Sequence, residues 1–306
     1  MRNTSYFVCR QHLSCHTIVP SHICCFLHTQ QTILKNPTIG TTMKRTDSLS
    51  PQHIENALTG KTIGQRVIYY PCIDSTNRAA RALALQEGTN GWIVLADEQS
   101  AGRGRLDRTW ESQAGEDILA SIIVYPHLPP SDMFQLTMIT SIAIVQAIER
   151  ICAVSCGIKW PNDIFLNGKK LCGILSEGQV GDQVQFMVIG LGLNVNSSMA
   201  GRKELSSTAI SLRDATGRQH DRNALIIAIL ENFNRLYASA GRDAERIKCL
   251  WEKHAMMLDH KVSIHSDDNV ISGIACGIMP DGRLILRESS GREHLIVCGD
   301  LSLRLE

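Results

Sequence analysis

The sequence predicts an α+β protein with a mixed central sheet flanked by helices and a small β-barrel at its C-terminal end. Three observations carry that expectation. From about residue 50, short apolar runs stopped by Pro, Gly or Asn alternate with helical stretches. Residues 133–152 are apolar all round over about five turns, which suits a helix buried in the centre of a domain. After Asp259 the texture changes to short strands divided by turn signals at Pro280-Asp281-Gly282 and Ser289-Ser290-Gly291. A chain of 306 residues exceeds one ordinary domain without requiring two large ones, so we expect a main domain over residues 50–257 and an appended barrel over 258–306.

The elements follow in order. Residues 54–58 read as a short helix and 66–70 as a strand ended by Pro71. Asp74-Ser75-Thr76 offers N-cap side chains ahead of a helix over 79–85 that Gly88 closes. Residues 92–96 and 118–124 are apolar strands, and the Gly- and Arg-rich loop between them, 99–115, is long enough to expect a function. Residues 158–160 form a strand halted by Pro161, and Asn167-Gly168 is a tight hairpin turn between strands at 164–166 and 171–175. A further strand covers 183–193, residues 205–257 are mostly helical, and short strands at 262–264, 270–278, 283–286 and 295–297 make the barrel.

Composition excludes several classes. Apolar residues are 43% and charged residues 20% of the chain, with 31 Lys+Arg against 30 Asp+Glu, the profile of a soluble globular protein rather than a disordered or fibrous one. A net charge of +1 gives no global reason to expect nucleic acid. No apolar run approaches the roughly 20 residues of a membrane span, so no transmembrane segment is expected. The 11 cysteines are an odd number, and those beyond residue 30 lack the spacing of a disulfide framework; reduced thiols in a cytoplasmic protein are expected.

The first 46 residues hold no Asp or Glu and gather Cys9, His12, Cys15, His16, His22, Cys24, Cys25 and His28. Three readings are open there. Cys and His suit zinc, but the spacings fit no familiar finger. The lack of acids resembles a transit peptide, with few arginines to support it. The third reading, which the composition favours, is a disordered or non-native extension upstream of a start at Met43.

The strongest chemical signal is Gly102-Arg103-Gly104-Arg105-Leu106-Asp107-Arg108-Thr109-Trp110. Glycines let backbone N–H groups approach an anion, arginine forks grip phosphate or carboxylate in two places, and an indole offers a flat face to a nucleobase. Composition alone equally allows an exposed basic loop that binds nucleic acid or nothing. In Lys159-Trp160-Pro161-Asn162-Asp163 a lysine at a strand end can reach into a cleft, or simply precede a surface turn. Gly190-Leu191-Gly192-Leu193-Asn194-Val195-Asn196 ends a strand in two asparagines and reads equally as a plain strand exit.

Taken together these segments resemble the catalytic domain of the biotin–protein ligases in order, spacing and identity. The family's Ser-Thr-Asn element stands at Ser75-Thr76-Asn77, the Gln before its glycine–arginine loop at Gln99, and the loop itself at 102–110. Its Lys-Trp-Pro-Asn-Asp box is 159–163, its Gly-Ile-Leu-x-Glu segment runs from Gly173 to Glu177, and its Gly-x-Gly-x-Asn strand ends at Asn194. The resemblance spans about residues 54–304, and implies a class II synthetase-like catalytic domain with an SH3-like barrel. Residues 111–117 are more acidic than the corresponding stretch of many relatives, and no helix-turn-helix is apparent upstream, which disfavours a repressor role.

By that resemblance Ser75, Thr76, Asn77 and Gln99 surround the ureido head of biotin with Gly173 in the pocket floor. Arg103, Gly104, Arg105 and Lys159 meet its carboxylate, and Gly102, Arg103, Arg105, Arg108, Trp110, Lys159 and Asn194 meet ATP or the adenylate. Arg103, Arg105 and Lys159 are the catalytic candidates. The implied activity is ATP-dependent formation of biotinyl-5'-AMP, with Mg²⁺ bridging phosphates, and transfer of biotin to a lysine of a carboxylase carrier domain. The loop at 100–112 is expected to be mobile without ligand and ordered with it. Relatives form dimers through a sheet edge, and neither nucleic acid nor membrane is expected as a partner. Metal ligands and a general base are not assigned. The alternatives are a lipoate or octanoate–protein ligase, whose acyl pocket has no need of Gln99 and the Ser-Thr-Asn cluster, and a biotin-sensing repressor.

Overall fold

The computed structural model describes residues 5–7, 48–106, 108–200, 205–266, 269–297 and 299–303. Apart from 5–7, the Cys- and His-rich stretch lies outside the described residues, and with it the three readings of that stretch. These described residues fall in one compact unit.

The chain runs through helix α1 (Pro51–Ala57), strand β2 (Arg66–Tyr70), α2 (Thr76–Ala84), β3 (Trp92–Ala96), β4 (Ile118–Val124) and α3 (Phe134–Cys152). It continues through β5 (Gly157–Lys159), β6 (Asp163–Leu166), β7 (Lys169–Val180) and β8 (Val184–Leu193) into α4 (Leu212–Thr216), α5 (Arg222–Tyr237) and α6 (Ala244–Glu252). Seven strands form the central sheet in the order β2-β3-β4-β8-β7-β6-β5. β2 and β3 are parallel, and every other neighbouring pair is antiparallel.

The two faces of this sheet differ, and the difference positions the site. On one face Ile93, Leu95, Ile122, Ile189 and Leu191 pack under α3 and α5 in the main core. All seven residues of β4 are buried, which explains a run that is apolar except for Ser121 where a one-sided strand would alternate. The helical stretch Pro130–Cys152, which ends in α3, is long and apolar enough to cross a membrane, but 72% of its most apolar part is buried in the protein, so its apolarity is that of a core helix. On the opposite face α2 covers only part of the sheet, setting Ala80 and Ala84 against Val94, Ile123, Phe186 and Val188. Among the described residues that face carries no helix beyond α2.

Residues 261–303 form the second sheet, from β9 (Lys261–Ser266), β10 (Asn269–Ile278), β11 (Leu284–Arg287), β12 (Glu293–Ile296) and β13 (Asp300–Leu303), five antiparallel strands. A three-residue strand β1 (Ser5–Phe7) adds to β12 in parallel. Val262, Ile264, Ala275, Ile278, Leu284 and Leu286 join the same apolar core as the main sheet. Trp160, 1% exposed, donates its indole N–H to the carbonyl of Gly282 at 3.0 Å, and Gly282 lies so close to Phe134 that a Cβ there would overlap the ring. β13 was not expected from the sequence, and β7 runs to Val180, past the apolar stretch that announces it.

Arg222, the first residue of α5 and 1% exposed, pins both ends of the glycine–arginine loop. Its guanidinium donates to Asp97 Oδ1 at 2.8 Å, just before the loop, and to the carbonyl of Asp117 at 3.1 Å, just after it. Tyr69 donates its hydroxyl to the other Asp97 oxygen at 2.6 Å. The Asp117 carboxylate accepts from the backbone N–H groups of Val195 and Gln113, and burial raises its pKa.

Removing one partner of a buried pair strands the other, so Arg222→Met should cost about 3 kcal/mol in urea unfolding. Burial and the bond to Asp97 raise the Tyr69 phenol from 10.0 to about 12. A raised pKa in the folded state favours the neutral phenol, so this contribution is whole below pH 10 and disappears as pH rises to about 12. Tyr69→Phe should therefore flatten that part of the stability profile and leave the acid side unchanged.

Candidate active site

A cavity of about 590 Å³ opens on the uncovered part of the sheet, between α2, the glycine–arginine loop, β7, β8 and the start of β13. Its volume falls within the 300–1,000 Å³ of small-molecule sites. Its floor is made by omission. Gly173 on β7 stands opposite Gly192 on β8, and Leu175 opposite Gly190, so backbone lies bare where side chains would alternate into the space. The indole of Trp110 settles on this platform: a Cβ at Gly192 would overlap the ring, and one at Gly173 would come within 3.0 Å of it.

One end of the cavity is lined by neutral polar groups. Ser75 is the N-cap of α2 but its side chain makes no capping bond, unlike the N-cap residues Ser50, Ser211, Asp221 and Asp243 of other helices. Gln99 Oε1 accepts from the backbone N–H of Thr76 at 2.8 Å and from its hydroxyl at 3.0 Å. The Ser121 hydroxyl, 0% exposed, lies 2.6 Å from Asn77 Oδ1 and 2.8 Å from Thr76 Oγ1. Asn77 donates from Nδ2 to the carbonyl of Leu175 at 3.2 Å and to Glu177 Oε2 at 2.8 Å.

The cations stand beyond this cluster, the arginines each beside an acceptor. The loop folds as a tight hairpin, with Arg103 bridged to Thr109 and Gly104 N–H bonded to the carbonyl of Arg108 at 2.7 Å. Arg103 lies 3.2 Å from Glu177 Oε1. Arg105 donates to Asn162 Oδ1 at 3.2 Å and to the carbonyl of Gly299 at 3.3 Å, and Arg108 is paired with Asp300 of β13. Lys159 lies with Nζ 5.2 Å from the centre of the Phe165 ring, and burial lowers its pKa against the opposing pull of Asp163 and Asp300.

Comparison with known proteins follows the same lines. The biotin/lipoate A/B protein ligase family matches residues 69–194. The chain is 38% identical over 252 residues to the bifunctional ligase/repressor BirA of Bacillus spizizenii, a match covering 81% of this chain and 78% of that protein. The chain belongs to the biotin–protein ligase family. The biotin–[acetyl-CoA-carboxylase] ligase of Paracoccus denitrificans is 34% identical over 228 residues, 72% of this chain and 93% of the other. The solved biotin protein ligase of Aquifex aeolicus in complex with biotin and ATP superposes with a TM-score of 0.68 at 26% identity, over 78% of this chain and 99% of that one. This chain is accordingly an enzyme, a ligase of α+β fold with a mixed central sheet.

Of the residues singled out in the ligase's sequence, all but Gly102 line the cavity. Gly102 instead stands at the base of the loop, its carbonyl accepting from the Trp110 N–H at 3.0 Å, where a Cβ would overlap the carbonyl of Trp110. Asn194 reaches the wall, but its side-chain amide donates to the carbonyl of Ile210 at 3.1 Å, so it holds the neighbouring segment in place.

Lys170 was missed. Its Nζ lies 2.7 Å from Asp163 Oδ1 and 5.8 Å from the centre of the Trp110 ring, at the heart of the cavity. Strict alternation from Gly173 would send residue 170 to the opposite face. Ile164 pairs with Cys172 but Phe165 with Lys170, so Leu171 has no opposite number on β6, and this bulge turns Lys170 inward.

The platform makes a direct prediction. Gly192→Ala should expel the Trp110 indole and lower the rate of biotin transfer on the order of 10²-fold, with the melting temperature nearly unchanged. Kinetics beside acrylamide quenching of tryptophan fluorescence would check it.

Proposed function

We propose that this ligase joins biotin to ATP as biotinyl-5'-AMP and then transfers the biotinyl group to a lysine of a carboxylase carrier domain. We place it in the cytoplasm, with residues 50–257 as the catalytic part and 258–306 as a barrel that contributes to the same site. The observation that carries the reading is a single cavity with a neutral hydrogen-bonding cluster at one end, five cations beyond it and a flat indole beside them. A buried urea needs matched donors and acceptors, because each unpaired group costs about 1–3 kcal/mol; Ser75, Thr76, Asn77 and Gln99 supply them.

A carboxylate is a weak electrophile and must be activated. Its oxygen attacks the α-phosphorus of ATP, the bond to the bridging oxygen breaks, and pyrophosphate leaves. Arg103, Arg105, Lys159 and Lys170 stand where negative charge increases in that step. The neutral amine of the carrier lysine then attacks the acyl carbon, the bond to AMP breaks, and an amide forms with loss of a proton. Closure of the loop at 100–112 keeps water from the adenylate.

Among the described residues no group of three or more His, Cys, Asp or Glu is placed to hold a metal. Asp163, Asp300 and Glu111 line the cavity singly, which fits Mg²⁺ carried by the triphosphate with one or two carboxylates at most, where it would neutralise phosphate charge.

The test is ATP–pyrophosphate exchange by the purified protein with biotin, lipoate and octanoate in turn. Exchange with biotin alone, reduced about 10²–10³-fold in Arg103→Ala and in Lys170→Ala, supports the reading; exchange with lipoate alone refutes it. The pH profile adds a check. Burial disfavours charged Lys159, so it loses its proton below the ordinary lysine value of 10.5, and the rate should begin to fall below that pH. In Lys159→Arg, whose guanidinium does not titrate there, that alkaline fall should disappear.

A further inference from the structure

We propose that Glu177 is a positioning residue that sets Arg103 and Asn77 together for biotin. The inference rests on the function proposed above and adds a residue to it. Glu177 lies in the second half of β7, opposite Val188 of β8, on one of the longest ladders of the sheet and so on a rigid support. Its two oxygens serve two different partners: Oε1 lies 3.2 Å from Arg103 Nη1, and Oε2 accepts from Asn77 Nδ2 at 2.8 Å. One carboxylate thus ties the loop that bears the cations to the helix that bears the neutral cluster.

Stability does not explain the arrangement. The side chains of Arg103 and Glu177 are 39% and 25% exposed, and a pair that open to water contributes about 0–1 kcal/mol. Geometry explains it better. An ionised carboxylate only accepts hydrogen bonds, so it obliges Asn77 to turn its NH₂ toward β7. With Leu175 and Glu177 taking both protons of that NH₂, Asn77 has only Oδ1 to offer a ligand, beside Ser121. Gly190 presses the amide into this place, since a Cβ there would overlap Asn77 Oδ1. Asn77 is thereby fixed as an acceptor for a ligand N–H, while Arg103 is held on the other side of the same carboxylate. A glutamine at 177 removes both constraints, because it loses the charge facing Arg103 and can present its own NH₂ to Asn77.

The experiment is biotin-dependent ATP–pyrophosphate exchange by wild type, Glu177→Gln, Glu177→Asp, Arg103→Ala and the double variant Glu177→Gln/Arg103→Ala, with thermal melting of each. Wild-type exchange with biotin tests the underlying function, and its absence counts against that reading alone. Given that activity, Glu177→Gln should raise the KM for biotin about tenfold, the effect of losing one charge-assisted hydrogen bond, with kcat changed less. Glu177→Asp should recover part of the loss, and Glu177→Gln should have a clearly smaller effect on KM in the Arg103→Ala background. An unaltered KM in Glu177→Gln overturns the proposal, and so does a full-sized effect in the absence of Arg103. A Glu177→Gln protein that melts early yet keeps the wild-type KM has a merely structural glutamate, which also overturns it. Should Glu177→Gln fail to fold, Glu177→Asp carries the same comparison, and a wild-type KM there refutes the role.

Discussion

The missing side chains of Gly173, Gly190 and Gly192 are the constraint on which the rest of the site depends. On the α2 face of the sheet, apolar residues at Val94, Ile123, Phe186 and Val188 give the helix something to bury. One register further along β8 the alternation meets glycines, and a helix laid there would gain no apolar contact. The sheet is therefore left open at that point, and the Asn77 amide and the Trp110 indole come down onto bare backbone. Glycine in a strand costs about 0.5–1 kcal/mol in conformational entropy. The buried opposite face, beneath α3 and α5, can bear that cost because β8 there presents Met187, Ile189, Leu191 and Leu193 to the main core.

Above this floor hangs a loop pinned by Arg222 at both ends and free to carry charge in its middle. Five cations in one cavity repel each other, and the structure relieves this by giving four of them acceptors from separate elements: Glu177 from β7, Asp163 from β6, Asn162 from the β5–β6 turn, Asp300 and Gly299 from the barrel. The ion pairs of Arg103, Arg108 and Lys170 are partly exposed and so individually weak. For the function proposed above this weakness is what the site requires, because a triphosphate bound there would have to outcompete these carboxylates for the same guanidinium and ammonium groups.

Most of the sheet was legible because its signals are local. Asn167-Gly168 marks a hairpin, the run at 118–124 marks a strand buried on both faces, and Gly102 to Trp110 combines residue types that serve one chemistry. What escaped depends on register or on distance along the chain. Lys170 points inward through a bulge at Leu171 that no residue type announces. Glu177 was legible as the end of the Gly-Ile-Leu-x-Glu segment but not as a strand residue, because the polar half of β7 lacks the apolar pattern by which strands are recognised. Asp300 meets Arg108 across 192 positions, and Arg222 reads as a surface charge at a helix start until the fold buries it. Gly102 was expected at the nucleotide together with its neighbours; the structure adds that a Cβ there would overlap the carbonyl of Trp110, so its small size also serves the path of the loop itself.

The barrel is held in two ways of unequal strength, which sets the order in which contacts can break. Its attachment to the main sheet is buried: Trp160 reaches Gly282 from within the core, and Ile264, Ile278 and Leu286 belong to the same apolar cluster as α3. Burying each such side chain contributes about 1.5–3 kcal/mol. Its attachment to the loop consists of Arg105 with Gly299 and Arg108 with Asp300, polar contacts in which the Arg108 side chain is 63% exposed. A disturbance of the site therefore releases the loop from the barrel long before the barrel leaves the sheet. The barrel acts as a fixed post, and the loop is the part that can exchange its acceptors for a ligand's.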